Sequence, residues 1–239
     1  MTTSRHPVVT RDYPENTSGG IMVCGINFGY SKEDEAAESQ SVAVATEPLS
    51  FFSDETVNKT KFRNRALKWL RSLGLNLSGT PETEGALEKS IFQTNWFDSQ
   101  TRDVGTDGEF KAEAMVEQEL RLQEQKMLGY GLISLVEARK PRAIIFLGSA
   151  LIEAFNDIRL RPRIEALLGP RSGNAQRMEL KADTFTGKSF SVRYQTFGGT
   201  YVVCLPHPQA HGVTDEFIAS LAVPEELIAC LRTVNSDQI

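Results

Sequence analysis

Apolar runs that end on polar residues divide this chain into the strands of an α/β protein. The run over 21–24 contains no polar position, which is typical of a strand buried on both faces of a parallel sheet. Segment 90–96 (SIFQTNW) predicts a second strand, and 142–155 predicts a strand, a tight turn and a helix. Segment 189–205 predicts two strands around a Gly-Gly pair. We therefore expect alternating strands and helices with several parallel strands.

Apolar residues at helical spacing predict the helices. The clearest helix lies within 57–76, where apolar positions recur every three or four residues and Gly74 follows the last of them. Three further segments predict helices: 110–139, which Gly129 and Gly131 bend or divide; 157–177, with flanking loops; and 214–234, which Pro224 breaks.

Length and composition indicate one domain. The chain has 239 residues, of which 40% are hydrophobic, enough for a sizeable core. Residues 1–20 are poor in large apolar groups and predict a flexible leader, an extended arm or a loosely docked segment. We expect a single α/β domain over 21–239, with an acidic insert near 32–47 in which 41–46 is a candidate short strand.

Targeting, membrane and metal signals are missing from the sequence pattern. No apolar run approaches the ~18 residues that a membrane helix needs, and the start of the chain has no apolar signal core. Cys24, Cys204 and Cys230 lack metal-ligand spacing, and two of them lie in strand-like apolar runs. We expect a cytoplasmic protein without membrane contact, metal or cofactor.

The charge of the chain is unevenly distributed. The net charge of −5 argues mildly against a nucleic-acid partner, yet residues 139–193 contain eleven Lys and Arg against five Asp and Glu. A phosphate-binding face that includes Arg159, Arg161 and Arg163 is compatible with this asymmetry. A solvated surface that is rich in arginine accounts for the composition equally well.

Three predicted strands end on polar residues that carry chemistry. Asn27 follows the first strand, Asn95 ends the strand in 90–96, and His207 follows the last strand. In open α/β sheets ligands bind at the carboxyl ends of the strands, where the loops diverge. We therefore expect these three side chains to line one crevice suited to a small planar ligand.

The order of these motifs resembles that of the uracil-DNA glycosylase superfamily. The sequence GINFGYS over 25–31 is similar to the first motif of the superfamily, closest to its mismatch-specific and single-strand-selective branches, and HPQAHG over 207–212 resembles the second motif. LSFF over 49–52, SIFQTNW and RAIIFLGSALIEAF resemble the intervening segments. The resemblance implies a three-layer α/β/α sandwich with a central, mainly parallel sheet.

The resemblance also implies a role for each residue. Asn27 would position the attacking water, and His207 would contact the leaving base. Asn95 would read the base edge, and Phe51 or Phe52 would stack on the base. The base must leave the duplex to reach such a pocket, and residues of the second-motif loop would fill the vacated space. The candidates for that role are Gln209, His211 and Val213.

Two positions of the first motif depart from the superfamily pattern. Phe28 replaces the usual proline and adds a possible aromatic wall. Gly29 stands where the strictly uracil-specific branch has a bulky tyrosine, so the pocket has room beside C5 of the base, unless Gly29 only permits a turn. Some members of the superfamily act on thymine mismatches or hydroxymethyluracil, and antiviral members remove hypermodified bases from phage DNA.

The leading hypothesis is a monomeric, monofunctional DNA glycosylase. It would flip out and hydrolyse a uracil-type or C5-modified pyrimidine, in repair or antiviral defence, and leave an abasic site because no lysine accompanies the motifs for lyase chemistry. One alternative is a catalytically weak module that binds DNA or a base. A second alternative, favoured by the acidic net charge, is a small-molecule nucleotide hydrolase.

Overall fold

A mixed six-stranded sheet forms the centre of the protein in the computed structural model. The structure describes residues 10–26, 28–29, 61–75, 77, 85–97, 100–101, 111–127, 129–174, 176–180, 190–210, 212–221 and 224–232. Its strands are β1 (Ile21–Gly25), β2 (Phe28–Gly29), β3 (Ile91–Asn95), β4 (Gln100–Thr101), β5 (Ala143–Leu147), β6 (Gln176–Leu180), β7 (Phe190–Phe197) and β8 (Thr200–Leu205). The order in the large sheet is β3-β1-β5-β8-β7-β6, and β2 pairs with β4 separately.

Four neighbouring strands of the sheet are parallel. β1 pairs with β3 on one side and β5 on the other, and β5 pairs with β8 in the same direction. β7 is antiparallel to β8, and β6 is antiparallel to β7. The prediction of a mainly parallel sheet is confirmed, with an antiparallel extension at one side.

Helices cover both faces of the sheet. Those in the described residues are α1 (Pro14–Thr17), α2 (Lys61–Ser72), α3 (Ala86–Lys89), α4 (Ala112–Glu124), α5 (Gly131–Arg139), α6 (Ser149–Phe155), α7 (Arg161–Leu168), α8 (Asp215–Ala219) and α9 (Glu225–Arg232). One apolar cluster joins the sheet to α4, α5, α6 and α7, and another joins the opposite face to α2, α8 and α9. This arrangement is consistent with a three-layer α/β/α sandwich.

The helix predicted within 57–76 is observed as α2. Ala66, Trp69 and Leu70 have no exposed surface and pack on the sheet, while Lys68 faces solvent. Gly74 follows the helix with a φ of +90°, a conformation that costs glycine little and ends the helical path. The amphipathic pattern therefore fixes both the buried side and the end of α2.

Three other sequence signals are confirmed. The helical segment 110–139 is divided into α4 and α5, and Gly131 begins the second helix. Pro224 directly precedes α9 and separates it from α8, since proline cannot continue a helix. The pair Gly198 and Gly199 connects β7 to β8 in an antiparallel hairpin.

Some elements were not predicted, and some predictions lie outside the described residues. β6 begins at Gln176, inside the segment predicted as a helix with flanking loops. Among the described strands it lies at the edge and pairs with β7 alone, and it begins with two exposed polar residues, so it lacks an apolar run. The acidic insert near 32–47 and the candidate strand at 41–46 lie outside the described residues.

Residues 10–20 of the predicted leader are packed onto the domain. Asn16 has no exposed surface, and its Nδ2 donates to the carbonyl oxygens of Arg11 at 2.9 Å and Ile91 at 3.3 Å. The Gly19 N–H donates to the carbonyl oxygen of Arg139 at 2.9 Å. These hydrogen bonds attach the segment to the domain, which its composition does not predict. Residues 1–9 lie outside the described range.

Glu119 of α4 is a buried carboxylate that caps the neighbouring helix. It is 1% exposed, and it accepts hydrogen bonds from the backbone N–H groups of Leu132 at 2.6 Å and Ile133 at 3.4 Å. These groups belong to the first turn of α5, where N–H groups lack partners within the helix. Burial raises the pKa of Glu119 to about 7, although both N–H groups oppose the shift.

We predict that Glu119 makes the protein less stable as the pH rises. Its pKa is higher in the folded than in the unfolded protein, so its contribution is complete below about pH 4.5 and is lost as the pH passes about 7. The full effect on the free energy of unfolding is about 3 kcal/mol. Glu119→Gln keeps an acceptor without the charge and removes this dependence.

Urea unfolding at about pH 5 and pH 8.5 measures the free energy of unfolding of the wild-type protein and of Glu119→Gln. The difference between the two proteins at each pH removes the contribution of all other titrating groups. Glu117→Gln changes an exposed residue of the same helix and is the matched control. The control should keep the wild-type pH dependence. A stability difference between Glu119→Gln and wild type that stays constant with pH would contradict the prediction.

Candidate active site

The parallel strands β3, β1, β5 and β8 end at one edge of the sheet, the edge at which ligands bind in open α/β folds. Asn95 is the last residue of β3, and His207 lies two residues beyond the end of β8. Asn27 lies outside the described residues, two positions after the last residue of β1. The strand order puts β1, which leads to Asn27 in the sequence, between the strands that carry the other two residues.

The side chain of Asn95 lies over the backbone of Gly25. The two residues are partners in the pairing of β3 with β1, and Asn95 is 6% exposed. A Cβ atom at Gly25 would overlap Oδ1 of Asn95, so only glycine leaves the space that the amide occupies. Strand alternation puts Asn95 on the same face as Ile91, which packs in the cluster of α2, α8 and α9.

The His207 imidazole packs against α2. The ring centroids of His207 and Phe62 are 5.3 Å apart, and Nδ1 of His207 accepts a hydrogen bond from the Gln209 N–H at 3.3 Å. Burial lowers the pKa of His207 to about 4, because the charged imidazolium loses its hydration there. The imidazole is therefore neutral at pH 7, and with Nδ1 as the acceptor its proton is on Nε2.

Asn95 and His207 follow strands that are not neighbours in the sheet. Their strands, β3 and β8, are separated by β1 and β5, so the strand axes are about 14 Å apart at the usual spacing. Gly25 of β1 lies between them in the strand order, and the Asn95 amide occupies the space over its backbone.

A buried glutamine lies beneath Asn95 on the same face of β3. Gln93 is 4% exposed, and its Oε1 has no hydrogen-bond partner among the described residues. A buried acceptor without a partner costs about 1–3 kcal/mol. The sequence pattern did not single out Gln93, because the sequence does not show whether a polar side chain inside a strand has a hydrogen-bond partner.

Two described residues of the loop after His207 were predicted to contact DNA, and they differ in exposure. Gln209 is exposed, as expected of a residue that meets a large ligand. Val213 is 5% exposed and packs in the apolar cluster of α2, α8 and α9, so its side chain belongs to the core rather than to an exposed loop tip. His211, between them in the sequence, lies outside the described residues.

The remaining predicted base-contacting residues are only partly described. Phe28 and Gly29 form β2, which pairs in parallel with β4 through Gln100 and Thr101. This short pair was not predicted, and its side chains lie outside the described part of the site. Phe51 and Phe52 lie outside the described residues altogether. Their proposed stacking role stays a prediction.

The three arginines predicted for a phosphate-binding face form ion pairs in the layer of α4, α5 and α7. Arg159 contacts Glu113 through two hydrogen bonds of 2.8 and 2.7 Å and also contacts Asp157. Arg161 pairs with Glu165 at 3.6 Å, and Arg163 with Glu137 at 3.3 Å. This layer covers the face opposite to α2 and α8.

Cysteine chemistry does not contribute to this site. Cys24 and Cys204 are buried free thiols on the face covered by α4–α7, and burial raises the pKa of Cys204 to about 12. Both thiols are protonated at neutral pH and pack as small apolar groups. Across the described residues, no group of three or more His, Cys, Asp or Glu side chains is placed to hold a metal ion.

Comparison with known proteins does not identify a family. No protein-family model matches the chain, and no curated protein matches it. Among the helices that the structure describes, none is long and apolar enough to cross a membrane. The geometry of the residues at the sheet edge therefore carries the functional argument.

We predict that Phe62→Ala raises the pKa of His207 from about 4 towards its ordinary value of 6.5. Removing the ring lets water reach the imidazole and stabilise its charged form. NMR titration of the imidazole signals measures the shift. Phe190→Ala removes a partly buried ring from β7 on the same face and should leave the His207 pKa at its wild-type value. An unchanged His207 pKa in Phe62→Ala would contradict the packing described.

Proposed function

We propose that the protein is a monofunctional DNA glycosylase that excises a uracil-type or C5-modified pyrimidine. The observation that carries the proposal is the placement of the His207 imidazole, which packs on α2 at the same sheet edge as the buried amide of Asn95. The order of the sequence motifs, similar to that of the uracil-DNA glycosylase superfamily, is the second support. Neither metal nor cofactor has a step in the proposed reaction.

Cleavage of an N-glycosidic bond builds negative charge on the departing pyrimidine and positive charge on the sugar. A fixed hydrogen-bond donor near the base oxygen stabilises that charge as it develops. The Nε2–H of His207 is such a donor, because the Gln209 N–H occupies Nδ1 and burial keeps the ring neutral. The imidazole does not need to lose or gain a proton to act in this way.

Asn95 is the proposed reader of the base. Its amide offers both an acceptor and two donors, which match the alternating pattern on the Watson–Crick edge of a pyrimidine. Its position over Gly25 fixes the amide by burial and close packing. Asn27 is the proposed residue that orients the attacking water, and Phe51 or Phe52 the proposed stacking partner.

A base in duplex DNA must be flipped out to reach this edge of the sheet. Exposed Gln209 is a candidate to occupy the vacated space, together with His211. Arg159, Arg161 and Arg163 stay candidates for phosphate contacts, although their layer covers the face opposite to α2 and α8. Exposed ion pairs of the kind they form are weak in water, so DNA phosphates can compete with their acidic partners.

We predict that His207→Ala reduces the rate of base excision about 10²- to 10³-fold, the usual cost of removing a donor to a developing anion. The assay incubates the protein with DNA that contains uracil, thymine mismatches, hydroxymethyl pyrimidines or phage-modified bases, and alkali then cleaves the abasic sites. His6→Ala is the matched control, since it removes another of the three histidines. Equal activity of His207→Ala and wild type on the excised base would refute the proposed role.

We predict that Gly29→Tyr abolishes excision of pyrimidines with a large C5 substituent. A tyrosine ring would fill the space that glycine leaves beside C5, and Gly29→Ala, with a single methyl group, should give a smaller loss. Initial rates on matched DNA duplexes with plain and C5-substituted bases measure the effect. If Gly29→Tyr retains activity on the bulky base, the space beside C5 is not what admits it.

A further inference from the structure

Arg65 of α2 holds the loop that follows His207. Its guanidinium donates to the carbonyl oxygens of Pro208 at 2.8 Å and Ala210 at 3.2 Å, and also to that of Val213. Its side chain is 16% exposed. One side chain thus binds three backbone carbonyl groups within the six residues after His207.

Arg65 is itself fixed by its surroundings. Its Nε contacts Oδ1 of Asp215 at 3.1 Å, and its guanidinium lies 4.9 Å from the ring centre of Trp69. The Trp69 indole N–H donates to the same carboxylate oxygen at 2.9 Å. Asp215 begins α8, so the guanidinium connects α2, the loop and the next helix in one network.

The same helix supports the imidazole. Phe62 lies three residues before Arg65, and residues at this spacing share one side of a helix. Phe62 contacts the His207 ring, while Arg65 binds the loop backbone that carries Gln209, whose N–H bonds to Nδ1 of His207. Ring and loop are therefore held by neighbouring positions of one helix that the core fixes on the sheet.

We propose that Arg65 is a positioning residue, which fixes the orientation of the His207 imidazole by holding the carbonyl groups of Pro208, Ala210 and Val213. Its part in catalysis rests on the glycosylase function proposed above, whereas its part in placing the imidazole does not. Arg65 touches no reacting atom of the proposed reaction. It acts through the loop backbone and the Gln209 N–H.

A guanidinium is needed for this task. It presents five N–H donors in a rigid planar arrangement, whereas a lysine ammonium is a compact charge with three donors on a flexible stem. Lysine at position 65 can pair with Asp215 but cannot bind the three carbonyl groups and the carboxylate in the same geometry. Arg65→Lys therefore separates loop positioning from simple charge pairing.

The experiment compares Arg65→Ala and Arg65→Lys with the matched control Lys68→Ala. Lys68 pairs with the other oxygen of Asp215 at 3.1 Å, is largely exposed and has no described bond to the loop. Far-UV circular dichroism establishes which variants are folded. If Arg65→Ala does not fold, Arg65→Lys and Lys68→Ala decide the question.

The first measurement is NMR titration of the His207 imidazole, which requires no enzymatic activity. In Arg65→Ala the loosened loop admits water, so the pKa of His207 should rise from about 4 towards 6.5, with a smaller rise in Arg65→Lys and none in Lys68→Ala. An Arg65→Ala or Arg65→Lys protein that is folded and keeps the wild-type His207 titration would overturn the positioning role.

The second measurement is steady-state excision of the base that the wild-type protein releases. Arg65→Ala should lower kcat about 100-fold with little change in KM, since a small displacement of a donor affects the transition state most. Arg65→Lys should recover part of that loss, and Lys68→Ala should match wild type. A kcat for Arg65→Lys equal to that of wild type, or equal losses in Arg65→Ala and Lys68→Ala, would overturn the proposal.

The two proposals can fail separately. If the wild-type protein releases no base, the glycosylase function is wrong, and the imidazole titration still decides whether Arg65 positions His207. If excision is observed and the His207 pKa is unchanged in folded Arg65 variants, the function stands and the role of Arg65 is wrong.

Discussion

The parallel pairing of β1 with β3 and β5 is the constraint on which the rest of the structure depends. The side chains over Ile21–Cys24 have no exposed surface, and helices cover the sheet on both faces. A shift of one residue would move every side chain of the strand to the opposite face, so the packing on both faces of the sheet depends on this register. The same register sets Asn95 opposite Gly25, where the absence of a side chain lets the amide lie over β1.

The chemistry of the site depends on α2, which the core fixes on the sheet. α2 is anchored to the sheet by its buried face, and its first two turns present Phe62 to the imidazole and Arg65 to the loop. Burial keeps His207 neutral, which makes it a hydrogen-bond donor through Nε2. A donor of this kind suits a leaving group that departs as an anion. No proton moves to or from the imidazole, and the proton that the attacking water loses goes to solvent.

The local pattern of apolar and polar residues predicted the buried strands and the polar residues at their ends. The apolar runs of β1, β3, β5 and β8 led directly to Asn95 and His207, because burial and strand ends are both visible in a short stretch of sequence. Gly25, Phe62 and Arg65 could not be predicted, since each acts through a partner that only the fold brings near. Arg65 and Pro208, for example, are 143 positions apart in the chain.

We propose that this sheet edge hydrolyses the bond between a pyrimidine and its deoxyribose, and the decisive measurement is mass spectrometry of the small molecules released from DNA with uracil or C5-modified pyrimidines. The expected result is one intact free base, released in equal amount to the abasic sites that remain in the DNA. No released base, or release of the base still attached to its sugar, would contradict it.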